Sequence, residues 1–299
     1  MEQPPTREML KESSLEYIFE QETEIRLFCR YLFERDFKAF RDSIYKNFPE
    51  LTDIHTNPDS LSEEELKIKV SEVVLNFRKR YADNIKLAET NIVAQLPKIG
   101  EGIKSLEELM GETEHYNYLI MPSVYPICPF DVKRSLFYFT ITGVKDGKTE
   151  FDRLSSTALH EISHFIFFRQ ITKIPNKLSD RGIHHLKEVL TPVLLQHPDI
   201  IKQRGKDYIC GNDESVNYQV EVDGEVMRIF DYVNREFLKN PTPDGYQSFL
   251  QWLIRLFERI EPEVLKRDSL YAKNGRAVFT DPILRNEFME PIKNCECDV

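Results

Sequence analysis

Two histidines and a glutamate at helical spacing carry the clearest chemistry in this chain. His160, Glu161 and His164 form an HExxH pattern, and residues four apart lie one turn above each other on the same helix face. Both imidazoles can therefore reach one metal ion. Zinc accepts neutral imidazole nitrogen, and it keeps a position for water when three protein ligands hold it. The glutamate lies beside that water and can take its proton. The pattern predicts a hydrolytic zinc centre with Glu161 as general base.

The residues around this pattern predict a helix with two different faces. At 100° per residue, six apolar side chains fall within an arc of about 140°, and they are Leu154, Ala158, Leu159, Ile162, Phe165 and Ile166. The histidine pair lies outside that arc, beside the small polar residues Ser156, Thr157 and Ser163. Small uncharged neighbours are unusual on a solvent-exposed surface and favour a helix that lines a cleft. We expect a capping box at residues 149–152 and a helix end near Gln170.

The extended, uncharged pattern resembles that of the zincin metallopeptidases. The metzincin branch has Gly three and His six residues after the second histidine, where this chain has Phe167 and Gln170. The chain is therefore more similar to the gluzincins, in which a glutamate on a following helix completes the zinc site. The resemblance covers roughly residues 135–195. It implies one Zn²⁺ per chain and a peptide or protein substrate, which an edge strand of the sheet would bind by backbone pairing.

Under this resemblance, Glu188 is the predicted third zinc ligand. It follows His164 by 24 positions and lies on a helix predicted over residues 180–196. His184 and His185 share its helix face, so either of them could instead be the third ligand or contact the substrate. The competing interpretation is that Glu188 is a solvated helix residue beside Lys187.

The sequence does not identify the residues that fill two further roles. The oxyanion of an amide hydrolysis needs a hydrogen-bond donor or a cation, and the candidates are Tyr208, Tyr218, His184 and His185. The second ring nitrogen of each zinc-bound histidine also needs an acceptor, which fixes the tautomer. The sequence does not single out any residue for that part.

Composition limits the functional classes. The chain has 299 residues, 41% of them hydrophobic, and a formal net charge of −10. This is typical of a globular protein, and the negative charge argues against nucleic-acid binding. The N-terminus has no signal-peptide pattern, no apolar run is long enough to span a membrane, and the five cysteines are scattered. We therefore expect a cytoplasmic protein with no membrane or nucleic-acid partner; the oligomeric state stays open.

The predicted fold class is helix-rich α+β, with a small sheet preceding the HExxH helix and a zincin-like core between helical N- and C-terminal parts. Periodicity predicts helices over residues 8–110, interrupted at Pro97 and Gly100. Strands are expected at 116–125 and 135–142, and a hairpin at 220–226. Further helices follow near 226–239 and 245–268. We assign residues 1–112 to a helical N-terminal region and residues 113–299 to a zincin-like metallopeptidase domain with the small sheet, the active-site helix and C-terminal helices.

The sequence thus favours a zinc metallopeptidase that hydrolyses peptide bonds, with His160, His164 and Glu188 as metal ligands. The alternative belongs to another class: a catalytically inactive zincin-like protein with an interaction or regulatory role. Metal content separates the two, because a helix without a functional site binds no zinc.

Overall fold

The structure, a computed structural model, describes residues 12–33, 38–56, 62–204, 214–293 and 295. It is rich in helix and has two small sheets, which confirms the α+β class. The chain divides into two compact units, one of residues 1–100 and 115–161 and the other of residues 101–114 and 162–299. The division passes through the HExxH helix, between Glu161 and Ile162. The predicted domain boundary after residue 112 stays a prediction.

Five helices belong wholly or mostly to the first unit: α1 (Gln21–Phe33), α2 (Lys38–Asn47), α3 (Asp53–Thr56), α4 (Glu63–Arg80) and α5 (Ala82–Leu109). The predicted start of α4 is confirmed, since Ser62 and Glu65 form a capping box. The predicted interruption at Pro97 and Gly100 is wrong, because α5 continues through both positions. Apolar side chains on either side of the proline, including Ile92 and Ile103, are buried. Their packing offsets the hydrogen bond that proline cannot make.

The first unit also contains a four-stranded sheet of β1 (Ser14–Tyr17), β2 (Asn117–Ser123), β3 (Phe130–Asp131) and β4 (Leu136–Thr140), in the order β1-β2-β4-β3. β1, β2 and β4 run parallel, and β3 lies antiparallel to β4 at one edge of the sheet. Both predicted strands are confirmed. The helix predicted from residue 8 is wrong over β1, where Leu15 pairs with Tyr118. A partner so distant in sequence is invisible to local periodicity.

The HExxH motif lies on α6 (Leu154–Ile171), which ends close to the predicted residue. The predicted capping box is wrong, because the helix begins only at Leu154. The Thr149 carbonyl accepts a hydrogen bond of 2.9 Å from the Asn91 side chain. The helix is also more deeply buried than its helical-wheel pattern predicts. Ser156, Ser163 and His164 are buried like the apolar stripe, so burial of α6 is not confined to the apolar face.

The second unit contains the helices α7 (Asp180–Leu195), α8 (Pro198–Arg204), α9 (Ile229–Phe237), α10 (Pro243–Asn274), α11 (Ala277–Thr280) and α12 (Pro282–Met289) and a hairpin of β5 (Gln219–Val222) and β6 (Glu225–Arg228). The predicted bounds of α7 are confirmed, with Ser179 as its N-cap. The hairpin is confirmed too, since Asp223 and Gly224 have the positive φ of 52° and 77° that its turn requires. Across the described part of the chain, no helix has the length and apolarity to span a membrane.

Candidate metal centre

The structure brings His160, His164 and Glu188 together, and we call these three residues the ligand triad. Their ligand atoms all lie within 4.8 Å of one another. α6 supplies both histidines and α7 the glutamate. His164 Nε2 is 3.7 Å from Glu188 Oε1. In a tetrahedral zinc site with bonds of about 2.0–2.2 Å, ligand atoms are about 3.4 Å apart. The donor set therefore fits a zinc ion after a small closing movement of the side chains.

The triad is not a surface feature. His164 is only 1% exposed, and the side chain of Glu188 is 14% exposed. The neighbouring Glu161 is buried at 8% exposure. This burial contradicts a solvent-exposed His164, whereas His160 and Glu188 are partly exposed. Polar groups taken out of water need partners, so the contacts around these side chains decide what the site can do.

Thr191 supplies the partner that the sequence could not identify for His164. Its Oγ1 lies 3.1 Å from His164 Nδ1 and 2.7 Å from Ser163 Oγ. A hydroxyl can accept the Nδ1 proton while it donates to Ser163. That arrangement places the proton on Nδ1 and leaves the Nε2 lone pair of His164 available to bind a metal ion. Thr191 follows Glu188 by three positions, so helical spacing would have revealed it.

Lys187 is the second residue that sequence reasoning missed. It is 2% exposed, and no role at the site was predicted for it. Its ammonium contacts the Glu188 carboxylate and lies 3.3 Å from His164 Nε2. That nitrogen has a single lone pair, so an ammonium and a metal ion are alternatives at this atom. A metal ion can bind the triad only if Lys187 withdraws from His164 Nε2 and from Glu188 Oε1, the oxygen that lies toward His164.

Glu161 follows His160 on α6, and one neighbour of its carboxylate is the Cys128 thiol. Burial raises the pKa of Cys128 to about 12, and the negative charge of Glu161 adds to that rise. The Thr140 N–H donates to Cys128 Sγ at 3.5 Å. Cys128 is therefore a protonated thiol near the proposed base.

The candidates for oxyanion stabilisation lie in another cluster. His185 is 3.6 Å from Asp268, and Arg181 makes two hydrogen bonds of 2.6 and 2.8 Å to the same carboxylate. Burial works to raise the pKa of Asp268, but the hydrogen bonds from Arg181 and His185 hold it well below its usual range. Tyr218 is buried with its ring centroid 6.3 Å from that of His185.

These contacts place His185 beside Asp268 and Tyr218 beside His185. His184 is only partly buried, and its ring lies 5.4 Å from that of His185. Tyr208 lies outside the described residues. The positive group that the structure places at the triad is Lys187.

Comparison of the chain with models of protein families, with curated proteins and with solved structures gives no match in any of the three. The likeness to gluzincins therefore rests on the residues of the site and on the order of strand and helices. Any activity drawn from that likeness is a proposal.

Proposed function

We propose that this protein is a cytoplasmic zinc-dependent metallopeptidase that hydrolyses peptide bonds in a peptide or protein substrate. One observation carries the proposal: two histidines one helical turn apart and a glutamate from the next helix present three ligand atoms within 4.8 Å. Two imidazoles and a carboxylate form a ligand set that catalytic zinc sites use, with a further position left for water. One Zn²⁺ per chain is the expected stoichiometry.

The chain's own residues have separate tasks in this proposal. His160, His164 and Glu188 would hold the metal, which supplies Lewis-acid chemistry: a more acidic water and a polarised carbonyl. Glu161 takes the proton of the attacking water and delivers it to the leaving amine, so that one carboxylate serves as base and then as acid. Thr191 holds His164 in the required orientation.

Lys187 has a task in the same proposal. After it withdraws from His164, its ammonium remains next to Glu188 and contributes positive charge where negative charge develops on the substrate. A charge in a buried site acts more strongly than it would in water. This role takes the place of the tyrosine or histidine donors expected from the sequence.

Metal content and a peptide-cleavage assay on the full-length protein test the proposal together. We expect about one zinc per chain by elemental analysis and cleavage of a mixed peptide library by mass spectrometry. Glu161→Gln should keep the zinc and lose roughly 100- to 10,000-fold in cleavage rate, because it removes the base and keeps the side-chain size. Glu150→Gln, at an exposed position ahead of α6, is the matched control. Equal rates for the Glu161→Gln variant and the parent would refute the assignment of the base.

The alternative is a protein that keeps the zincin-like arrangement without the activity. The Lys187 contacts support this alternative, because the ammonium already joins Glu188 and His164 without any metal. An ion pair of this kind could serve a purely structural purpose between α6 and α7. A purified protein that takes up no zinc at micromolar concentrations would favour this second function.

A further inference from the structure

One face of α4 carries a stripe of exposed side chains on the side of the helix that faces away from the first unit. The side chains that α4 buries in the unit are Leu66, Val70 and Val74. At 100° per residue, the stripe lies opposite these three and within an arc of about 80°. Its members, all exposed, are Glu64, Ile68, Glu72, Leu75 and Lys79. We call these five residues the outer stripe of α4.

Two members of the outer stripe are large apolar side chains. Ile68 is 52% exposed and Leu75 is 38% exposed. They are seven positions apart, so they lie almost directly above each other at a separation of about 10 Å along the helix. One exposed apolar residue is ordinary on a protein surface. Two that are aligned on one helix face form a surface that a second helix can cover.

The charges at the two ends of the outer stripe are available to a partner. Lys67, next to the stripe, forms an ion pair of 2.7 Å with Glu22. Within the described part of the chain, by contrast, Glu64 and Lys79 form no salt bridge. Acidic residues in the first turn and basic residues in the last turn of α4 stabilise the helix dipole. The dipole does not require these charges to share a face with the two apolar side chains.

The order of the side chains in the outer stripe is complementary to itself when the helix is reversed. Ile68 and Leu75 each lie about 5 Å from the point midway between residues 71 and 72. Glu64 and Lys79 each lie about 11 Å from the same point. A second α4 that runs antiparallel, with a two-fold axis at this point, therefore places Ile68 opposite Leu75 and Glu64 opposite Lys79. Each contact occurs twice, as two-fold symmetry requires.

We propose that the outer stripe of α4 is the contact between two copies of this chain, which form a two-fold symmetric dimer with antiparallel α4 helices. Burial of the two apolar side chains provides the attraction, and the ion pairs determine the relative direction of the helices. A single pair of helices over about 22 Å buries less than a standard interface, so we expect a weak dimer with a Kd of about 10–100 µM. The proposal does not depend on the metal centre or on cleavage.

Sedimentation velocity of the full-length protein, from well below to well above the expected Kd, measures the association. Leu75→Ser should weaken the dimer about tenfold, because the apolar contact is lost on both sides of the axis. Val132→Ser, at a position of the same unit that is 41% exposed, is the matched control and should leave the Kd unchanged. A protein that stays monomeric at the highest concentration overturns the proposal, and so do equal effects of the two variants.

Charge reversal tests the antiparallel arrangement. Glu64→Lys and Lys79→Glu should each weaken the dimer about tenfold, because each change places two pairs of like charges opposite each other. An equimolar mixture of these two variants should associate as the parent does, because every charged pair in the mixed dimer is again of opposite sign. A chain that carries both changes should also dimerise. Failure of both the mixture and the double variant to associate, with the helix content unchanged by circular dichroism, would contradict the proposal.

Glu72 is the one member of the outer stripe that opposes the dimer. It lies next to the midpoint, so the two copies of this residue are on the same side of the dimer, close to the two-fold axis. Like charges at short distance repel, and Glu72→Gln should therefore tighten the dimer about threefold. Glu16→Gln, at an exposed position of β1, should leave the Kd unchanged. Weaker association of Glu72→Gln would show that the helices do not meet at this point.

Discussion

Each unit buries a glutamate beside a cation, but the two sites are built differently. In the first unit, the fully buried Glu24 accepts hydrogen bonds from Arg78 Nε at 2.6 Å and Nη2 at 3.0 Å. It also accepts from the Ser123 hydroxyl at 2.8 Å and the Val124 N–H at 2.7 Å. In the second unit, Glu188 contacts the ammonium of Lys187 and lies 3.7 Å from His164. Arginine holds Glu24 in a rigid fork, whereas lysine is a mobile point charge.

This difference separates a structural site from one that can exchange its cation. The four donors around Glu24 are two N–H groups of one planar guanidinium, a buried hydroxyl and a backbone N–H, and together they satisfy the carboxylate. Glu188 and His164 present atoms that suit a zinc ion as well as they suit an ammonium. Loss of a partner should therefore cost stability at Glu24 and metal binding at Glu188.

The largest effects should come from the ligand triad. His164→Ala and Glu188→Gln should each abolish zinc binding at micromolar concentrations, as measured by competition with a fluorescent chelator, while circular dichroism shows the helices retained. A chain of 299 residues buries enough core to fold without a metal. His184→Ala and His185→Ala should leave the zinc bound. Complete unfolding on chelation would instead indicate that the metal is structural.

The reverse pattern is expected at Glu24. Glu24→Gln leaves the largely buried Arg78 guanidinium with only the more distant Glu89 carboxylate, at 3.7 Å, so the free energy of unfolding should fall by about 3 kcal/mol. Zinc content should not change. Urea denaturation measures the first quantity, and Glu16→Gln, at an exposed position of β1, is the control. A smaller fall in the free energy of unfolding than the one that His164→Ala causes would remove the contrast between the two sites.

The sequence predicts those parts of this comparison that depend on local signals. The bounds of α7 and the hairpin turn at Asp223 follow from capping and turn chemistry. The HExxH spacing alone directs attention to α6. The partners of Glu24 lie about 100 positions away at Ser123 and Val124, and no local pattern can pair them. For the same reason β1 was predicted as a helix.

Within the candidate site, the split between what was and was not predicted has a similar cause. Glu188 was chosen on helix-face and resemblance arguments, and the structure places it beside both histidines. Its neighbour Lys187 was given no role at the site, because adjacent helix positions point about 100° apart. Burial on both sides of α7 removes that distinction, since Leu186, Lys187 and Val189 are all buried. Whether a helix is buried on all sides depends on tertiary packing and cannot be predicted from a helical wheel.

Thr191→Val tests whether the histidine of the exchangeable site is held in place as firmly as Glu24 is. The change keeps the side-chain shape and removes the oxygen 3.1 Å from His164 Nδ1. Loss of such a partner typically weakens metal binding about 10- to 100-fold. Thr172→Val, just past the end of α6 at an exposed position, should leave the affinity unchanged. An unaltered zinc affinity in Thr191→Val would show that Thr191 does not orient His164.

Lys187→Met should give the smallest change and the one that most sharpens the comparison. Methionine keeps the length of the side chain but cannot occupy the lone pair of His164 Nε2, 3.3 Å from the ammonium. With the competing cation removed, zinc affinity should rise about tenfold if the competition is worth about 1.4 kcal/mol. The metal-free protein should become less stable, because the Glu188 carboxylate loses a partner in a largely buried position. Added zinc should restore that stability, since a ligand that binds only the folded state shifts unfolding by mass action.

A peptide-cleavage assay distinguishes the two proposed roles of Lys187, which are competition with the metal and support of the developing negative charge. If the ammonium also supports the developing negative charge, Lys187→Met should bind zinc more tightly and yet hydrolyse peptides more slowly. Lys173→Met, at an exposed position after α6, should change neither quantity. Weaker zinc binding in Lys187→Met would mean that the lysine positions Glu188 for the metal rather than competing with it. In that case Lys187 and Glu188 act as one fixed pair, as Arg78 and Glu24 do, and the proposed contrast between the units does not hold.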